Sequence, residues 1–357
     1  MKYARRFITT AVCAVLFAES QAADLKPLAG YSADIENTTI SGLSSGAFMA
    51  TQLHVAYSHY FGGAGIIAGG PFYCAGSYAR NTLLENATTA CMSPLIKSVG
   101  PNVSKAIAKA KEFAAQGSID PIENLVNDRV YIFTGTADNT VKSNVVEKTL
   151  EFYKKLGLKE DQLKYVNTVD AGHSIITNNS DDVACALTEP PYINNCGFEQ
   201  STELLQFLYP GLLPPAEKAS GQVIAFNQSE FITDFGKDKD FSSMDETAYV
   251  YVPSACEKET CRVHIVFHGC EQGNKVIGQE YVTTTGYNEV ADTNKLIMIY
   301  PQAKPSDPIP YNPKGCWDFW GYSGADPKAP NFYSHDAPQM KAVIAMLERL
   351  ATVRANP

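Results

Sequence analysis

The stretch Thr38-Thr39-Ile40-Ser41-Gly42-Leu43-Ser44-Ser45-Gly46-Ala47-Phe48-Met49 constrains this chain more than any other. A β-branched run enters Gly42-Leu43-Ser44-Ser45-Gly46, and the apolar residues Met49, Leu53, Ala56 and Tyr60 recur beyond it at helical spacing. Strand, sharp turn and helix around G-x-S-x-G form a nucleophile elbow, whose flanking glycines spare the strand and helix a collision of side chains. The central residue is Ser44, so Ser44 is the expected nucleophile. The Ser45 N–H, at the helix start, would point at the oxyanion formed when Ser44 attacks a carbonyl.

Residues 1–22 read as a secretory signal. Lys2, Arg5 and Arg6 make the basic start, residues 7–18 the apolar middle, and Ser20-Gln21-Ala22 a small-residue cleavage site. The apolar stretch is too short to span a membrane comfortably, and no later segment reaches its length. The mature protein is therefore expected to be exported, extracellular or periplasmic, without a membrane span. Losing the peptide removes Cys13 and leaves Cys74, Cys91, Cys185, Cys196, Cys256, Cys261, Cys270 and Cys316. An even set in an exported chain points to disulfides. Neither HExxH nor paired CxxC occurs, and Cys256-x4-Cys261 alone makes a poor zinc site, so no metal is expected. The net charge of −9 becomes −11 once Lys2, Arg5, Arg6 and Glu19 are gone. That acidity, with no Lys/Arg cluster, argues against nucleic acid as a partner and is compatible with a neutral or apolar substrate.

Residues 23–357 are long enough for one large core or two small ones. After the elbow helix, Ala64-Gly65-Ile66-Ile67-Ala68-Gly69 reads as a buried parallel strand. A polar excursion with Cys74 and Cys91 follows, then a helix over 103–115. The strand Arg129-Val130-Tyr131-Ile132-Phe133-Thr134 runs into Gly135-Thr136-Ala137-Asp138, and a helix over 144–156 leads to a third strand, 163–168, ending at Asp170-Ala171-Gly172-His173. Strand, acid, helix, strand, histidine is the order of the second half of an α/β-hydrolase, whose triad runs Ser, Asp or Glu, His. Asp138 fits the acid because it follows a strand's C-terminal end; the alternative is an Asx turn at the next helix. His173 fits the general base, and Asp170 is the rival acid, more suited to shaping the turn.

Only a short segment precedes Thr38, yet a hydrolase needs strands before its nucleophile strand. They occur late. Thr247–Val252 alternates, and Arg262–Phe267 ends in His268-Gly269-Cys270. A helix near 286–293, the strand Leu296–Tyr300 and an amphipathic helix over 337–350 follow. The reading is a circularly permuted α/β-hydrolase: one catalytic domain, 23–357, in which residues 221–357 supply the first half of a mostly parallel sheet flanked by helices. The loop after the third strand then supplies the second oxyanion donor, the Cys270 N–H. Both tryptophans fall in Gly315-Cys316-Trp317-Asp318-Phe319-Trp320-Gly321-Tyr322. Trp320, with Trp317 and His268, is a candidate lining of a substrate crevice, Trp320 being the more exposed candidate. Economy alone suggests pairing neighbours as Cys74–Cys91, Cys185–Cys196 and Cys256–Cys261, which leaves Cys270–Cys316; many other connectivities remain open.

The elbow, the Asp138 loop, Asp170-Ala171-Gly172-His173, His268-Gly269-Cys270 and Cys316-Trp317-Asp318-Phe319-Trp320-Gly321-Tyr322 each resemble a motif of the secreted polyhydroxybutyrate (polyhydroxyalkanoate) depolymerases. The likeness is to single-domain members with a permuted α/β-hydrolase fold, and it spans nearly the whole mature chain. It implies cofactor-free ester hydrolysis of a hydroxyalkanoate polyester or its oligomers; a monomer is expected. In that reading Ser44 attacks, His173 relays the proton, Asp138 orients His173, and the Ser45 and Cys270 N–H groups hold the oxyanion. Many extracellular members carry a Thr-rich or fibronectin-like linker and a polymer-binding module; neither is recognisable here. The alternatives are a related feruloyl or acetylxylan esterase and a binding protein on a dead hydrolase scaffold.

Overall fold

The computed structural model describes residues 25–233, 239–326 and 328–354; the expected signal peptide, 1–22, lies outside them. The strands are β1 (Asp34–Leu43), β2 (Phe61–Ile67), β3 (Arg129–Phe133), β4 (Leu163–Val166), β5 (Ile175–Thr177), β6 (Val183–Ala184), β7 (Ile193–Asn195), β8 (Gln222–Asn227), β9 (Thr247–Val252), β10 (Arg262–Phe267) and β11 (Leu296–Tyr300). The main sheet has eight of them in the order β4-β3-β2-β1-β10-β11-β9-β8, with β5, β7 and β6 in a small separate sheet. From β4 to β11 every pair is parallel; β9 and β8 join antiparallel. Counted from β8 as the first strand, the order becomes 1-2-4-3-5-6-7-8, with β10 third and the elbow strand β1 fifth.

The join that permutation requires is present. The last long helix ends where the first strand begins: Leu350 O accepts the Tyr31 and Ala33 N–H groups, each at 3.0 Å, and Thr352 O accepts that of Ser32 at 2.9 Å. The fold is thus the permuted α/β-hydrolase, and the late segment completes the early one. The β1–β10 register sets Ser41 beside Val266 and Gly42 beside Phe267, which brings the two strand ends carrying Ser44 and His268 together.

Helices α1 (Ser45–Ala56), α2 (Leu83–Thr88), α3 (Val103–Ala115), α4 (Ser143–Leu156) and α5 (Gln200–Leu208) belong to the first half. Helices α6 (Asn274–Ile277), α7 (Glu280–Thr284), α8 (Tyr287–Asn294) and α9 (Pro338–Ala351) belong to the second. Central strands covered on both faces read as continuous apolar runs, as Leu296–Tyr300 does, buried at every position. The exception is β1, where Thr39 and Ser41 point polar groups inward. Thr39 Oγ1 and Ser41 Oγ lie 2.6 and 2.8 Å from the two ring nitrogens of His264 on β10, and Tyr287 Oη is 2.8 Å from Ser41 Oγ. That satisfies the buried hydroxyls, and burial pushes the His264 pKa down to about 3.

The apolar stripe of α1 suggested one buried face; all twelve of its residues are buried. The cause is the 316–334 segment, which covers the helix's other side. Gln52 Nε2 donates to the carbonyls of Asp318 and Phe332, each at 3.1 Å, and Phe48 stacks on Phe319 at 4.2 Å. The cysteines pair as Cys74–Cys91, Cys185–Cys196, Cys256–Cys261 and Cys270–Cys316. No helix among the described residues is long and apolar enough to cross a membrane.

Candidate active site

Ser44 sits between β1 and α1 with φ 57° and ψ −122°, a conformation that costs a non-glycine residue on the order of 1–3 kcal/mol. The surroundings enforce it. A Cβ on Gly42 would lie 2.4 Å from the Gly46 carbonyl, and one on Gly46 would lie 2.4 Å from His268 O. Both glycines are thus required by close approach, and the second marks where the elbow helix meets the β10 loop. The turn leaves Ser44 at the positive end of α1.

His173 follows β4 in a loop packed against the 185–192 segment. Its backbone N–H donates to Thr188 Oγ1 at 2.9 Å, and its Nδ1–H donates to Asp138 Oδ2 at 2.8 Å. Both side chains are buried. Asp138 Oδ1 accepts the N–H groups of Thr140 and Val141 at 2.8 and 3.0 Å. The Asx turn and the histidine contact thus coexist, one oxygen serving each. Asp170 instead accepts from Thr136 Oγ1 at 3.0 Å, on the exposed side of the turn.

The third component arrives from the other half of the chain. A Cβ on Gly269 would stand 3.4 Å from Ser44 Cβ, so the His268-Gly269-Cys270 loop lies directly over the elbow. His268 Nδ1–H donates to Gly269 O at 2.6 Å, and its Nε2 accepts the Ala303 N–H at 3.0 Å. Those two bonds define a neutral imidazole, and burial moves its pKa down to about 4. Because C=O and N–H of a trans peptide point in opposite directions, tying down Gly269 O aims the Cys270 N–H the other way. Among the described residues neither the Ser45 nor the Cys270 N–H makes a hydrogen bond. The Cys270–Cys316 disulfide and the Trp317 N–H, which donates to Ser45 Oγ at 3.1 Å, hold the 316–322 loop beside both.

Ser44, Ser45, His173 and Cys270 all open onto one cavity of about 420 Å³. Its wall is mainly apolar, with Phe48, Leu84, Met92, Phe319 and Trp320 prominent. Of the three residues expected to face substrate, Trp320 lines the cavity. Trp317 and His268 do not: they are 0% and 1% exposed. Trp317 packs edge-on against Phe267 and beside His268, beneath the loop rather than over the cavity. Leu84 and Met92 come from the Cys74–Cys91 excursion, whose polar composition hid its role as a wall. Phe48 was more accessible to sequence reasoning, since it lies one helical turn after Ser44 on the same face. Among the described residues no cluster of three or more His, Cys, Asp or Glu could hold a metal ion.

No protein-family profile matches the chain. It is 41% identical over 327 residues to a poly(3-hydroxybutyrate) depolymerase of Delftia acidovorans, covering 89% of this chain and 60% of that protein. Over 341 residues it is 33% identical to a polyhydroxybutyrate depolymerase of Talaromyces funiculosus, covering 91% and 92% of the two chains. A serine-to-alanine PHB depolymerase complexed with an R3HB trimer superposes with a TM-score of 0.80 at 30% identity, over 91% of this chain and 99% of that one. The crystal structure of PHB depolymerase from Penicillium funiculosum gives 0.79 at 31% identity, with the same coverage.

Proposed function

The chain belongs to the polyhydroxybutyrate depolymerases, carboxylic ester hydrolases, and we propose that it cleaves poly(3-hydroxybutyrate) or its oligomers at Ser44. Ser44 Oγ attacks the ester carbonyl while His173 Nε2 takes its proton. The Asp138 carboxylate holds the ring by Nδ1–H and stabilises the imidazolium that forms. The Ser45 and Cys270 N–H groups receive the oxyanion, and one such donor is worth about 2.7–4 kcal/mol of barrier. Collapse expels the alcohol end of the departing chain, which takes the proton from His173. Water, activated by the same histidine, then releases the 3-hydroxyacyl group from Ser44.

The observation that carries this reading is the 2.8 Å His173–Asp138 bond at the rim of a cavity shared with Ser44 and the Cys270 loop. The apolar wall suits a methyl-branched polyester with no charge along its length. We further propose that the enzyme acts outside the cytoplasm, as a monomer and with no cofactor. The test is product release from polyhydroxybutyrate and from a feruloyl ester, side by side, by wild type and Ser44→Ala. Hydroxybutyrate products from wild type and none from Ser44→Ala are expected, with fluorophosphonate labelling at Ser44. Preference for the feruloyl ester, or activity in Ser44→Ala, would overturn it. Ser45→Ala retains its N–H and should keep most activity, losing the contact to the Trp317 N–H.

A further inference from the structure

The oxyanion loop and the histidine arm come from opposite halves of the chain, and one buried side chain joins them. Gln272 is 1% exposed. Its Oε1 accepts the Gly269 N–H at 2.7 Å, and its Nε2 donates to Pro191 O at 2.8 Å and Tyr192 O at 3.2 Å. These partners admit one orientation. Turned over, the amide would set N–H against N–H and a carbonyl against two carbonyls.

Each end of this link leads to a reacting group. On one side, Gly269 lies against Ser44 and shares with Cys270 the peptide whose oxygen His268 holds. On the other, Tyr192 O also accepts the Ile175 N–H at 3.1 Å, two residues past His173, and Thr188 of the same segment accepts the His173 N–H. Gly269, one covalent step before the Cys270 N–H, Gln272, segment 188–192 and the His173 loop are therefore joined by one chain of hydrogen bonds, independent of the main sheet. We propose that Gln272 is a positioning residue, which fixes the spacing between the Cys270 oxyanion donor and the His173 general base by clamping their two loops together. The inference rests on the assignment of Ser44, His173 and Cys270 made above. Gln272 itself moves no proton: it is a neutral amide, and both of its N–H groups are engaged in the clamp.

The test uses Gln272→Leu, which removes both ties at similar volume, and Gln272→Glu. An ionised Glu can still accept the Gly269 N–H, but it turns its second oxygen onto two carbonyls; protonated, that oxygen becomes a donor again. With a soluble 3-hydroxybutyrate trimer ester, Gln272→Leu should lose about 10²-fold in kcat with KM changed by less than about threefold, as expected for misplaced rather than missing groups. The kcat of Gln272→Glu relative to wild type should rise as pH is lowered from about 8 to about 5.5, as its carboxyl protonates. If Gln272→Leu does not fold, that ratio decides alone. Wild-type kcat in folded Gln272→Leu, a change confined to KM, or a flat Gln272→Glu ratio would each overturn the proposal. Ser44→Ala in the same assay separates the two claims: hydrolysis by that variant would sink the active-site reading itself.

Discussion

Gly46→Ala offers a direct test of the contact between the elbow and the β10 loop. The new Cβ would sit 2.4 Å from His268 O and 2.8 Å from Phe267 Cβ. A carbon and a carbonyl oxygen approach to about 3.3 Å at closest, so the loop must retreat by roughly 0.9 Å. The Cys270 N–H lies two residues along that loop. Moved by the same amount from an ideal of about 2.9 Å, it would stand near 3.8 Å from the oxyanion, beyond hydrogen-bond range. The expected loss is one donor, about 10²–10³-fold in kcat, together with about 1–3 kcal/mol of stability from overpacking. The assay is kcat and KM on a soluble hydroxybutyrate ester with urea unfolding alongside. Gly62→Ala, whose Cβ meets Asn37 Cβ at 3.2 Å far from Ser44, serves as the control. A destabilised Gly46→Ala enzyme with unchanged kcat would refute the geometry, because the loop would have moved without the chemistry noticing.

A chain rebuilt to start near Gly221 and end near Leu212, with the present termini linked, should fold and hydrolyse esters, whereas 23–220 alone should do neither. A cooperative, active fragment would contradict the shared sheet. Cys270→Ser/Cys316→Ser opens a loop closed across a sequence separation of 46 and should cost about 4 kcal/mol in urea unfolding; a loss under about 1 kcal/mol would mean that the loop is held by other contacts. Burial holds the pKa of His264 down to about 3 and of His268 to about 4, below the ordinary 6.5. Both stay neutral in the fold while the unfolded chain takes up their protons, so this contribution to stability falls as pH drops from 6.5 toward 4. The raised pKa values of Asp318, Glu199 and Glu289, each desolvated by burial, pull the other way. His264→Gln should therefore lower the slope of stability against pH by about 1 kcal/mol per unit on average between pH 7 and 5, measured from urea midpoints; an identical slope would show that His264 does not bury neutral.

The parts legible from sequence were those whose chemistry is local. The elbow is five residues, Asp138 and His173, which the fold brings together, each follow a strand end, and the parallel strands are apolar runs needing no partner to be seen. The permutation was legible because the missing strands had to lie somewhere, and only one later stretch had the rhythm. What escaped depends on contacts distant in sequence. The all-round burial of α1 requires the 316–334 segment. β5 and β7, three residues each, and β6, with two, are too short to show a period. Trp317 and Trp320 are alike in composition, and only the Trp317 N–H contact to Ser45 and its packing on Phe267 put one under the loop. Gln272 carried no signal at all, since its three partners lie on loops from both halves.

The strand order also dictates when the chemistry can begin. Ribosomes deliver β1 to β4, with Ser44, well before β10. Until Arg262–Phe267 is made, β1 keeps one edge open, its amides and carbonyls free to seize any extended chain nearby. The pairing of Thr39 with His264 closes a very long loop, the kind of contact that slows folding. A nascent or truncated chain ending before Phe267 is therefore adhesive, and on the present assignment catalytically mute, because the serine is present but the loop that would receive its oxyanion has not been made. Pairing of β10 thus closes the open edge of β1 and, on the same assignment, completes the site in a single event.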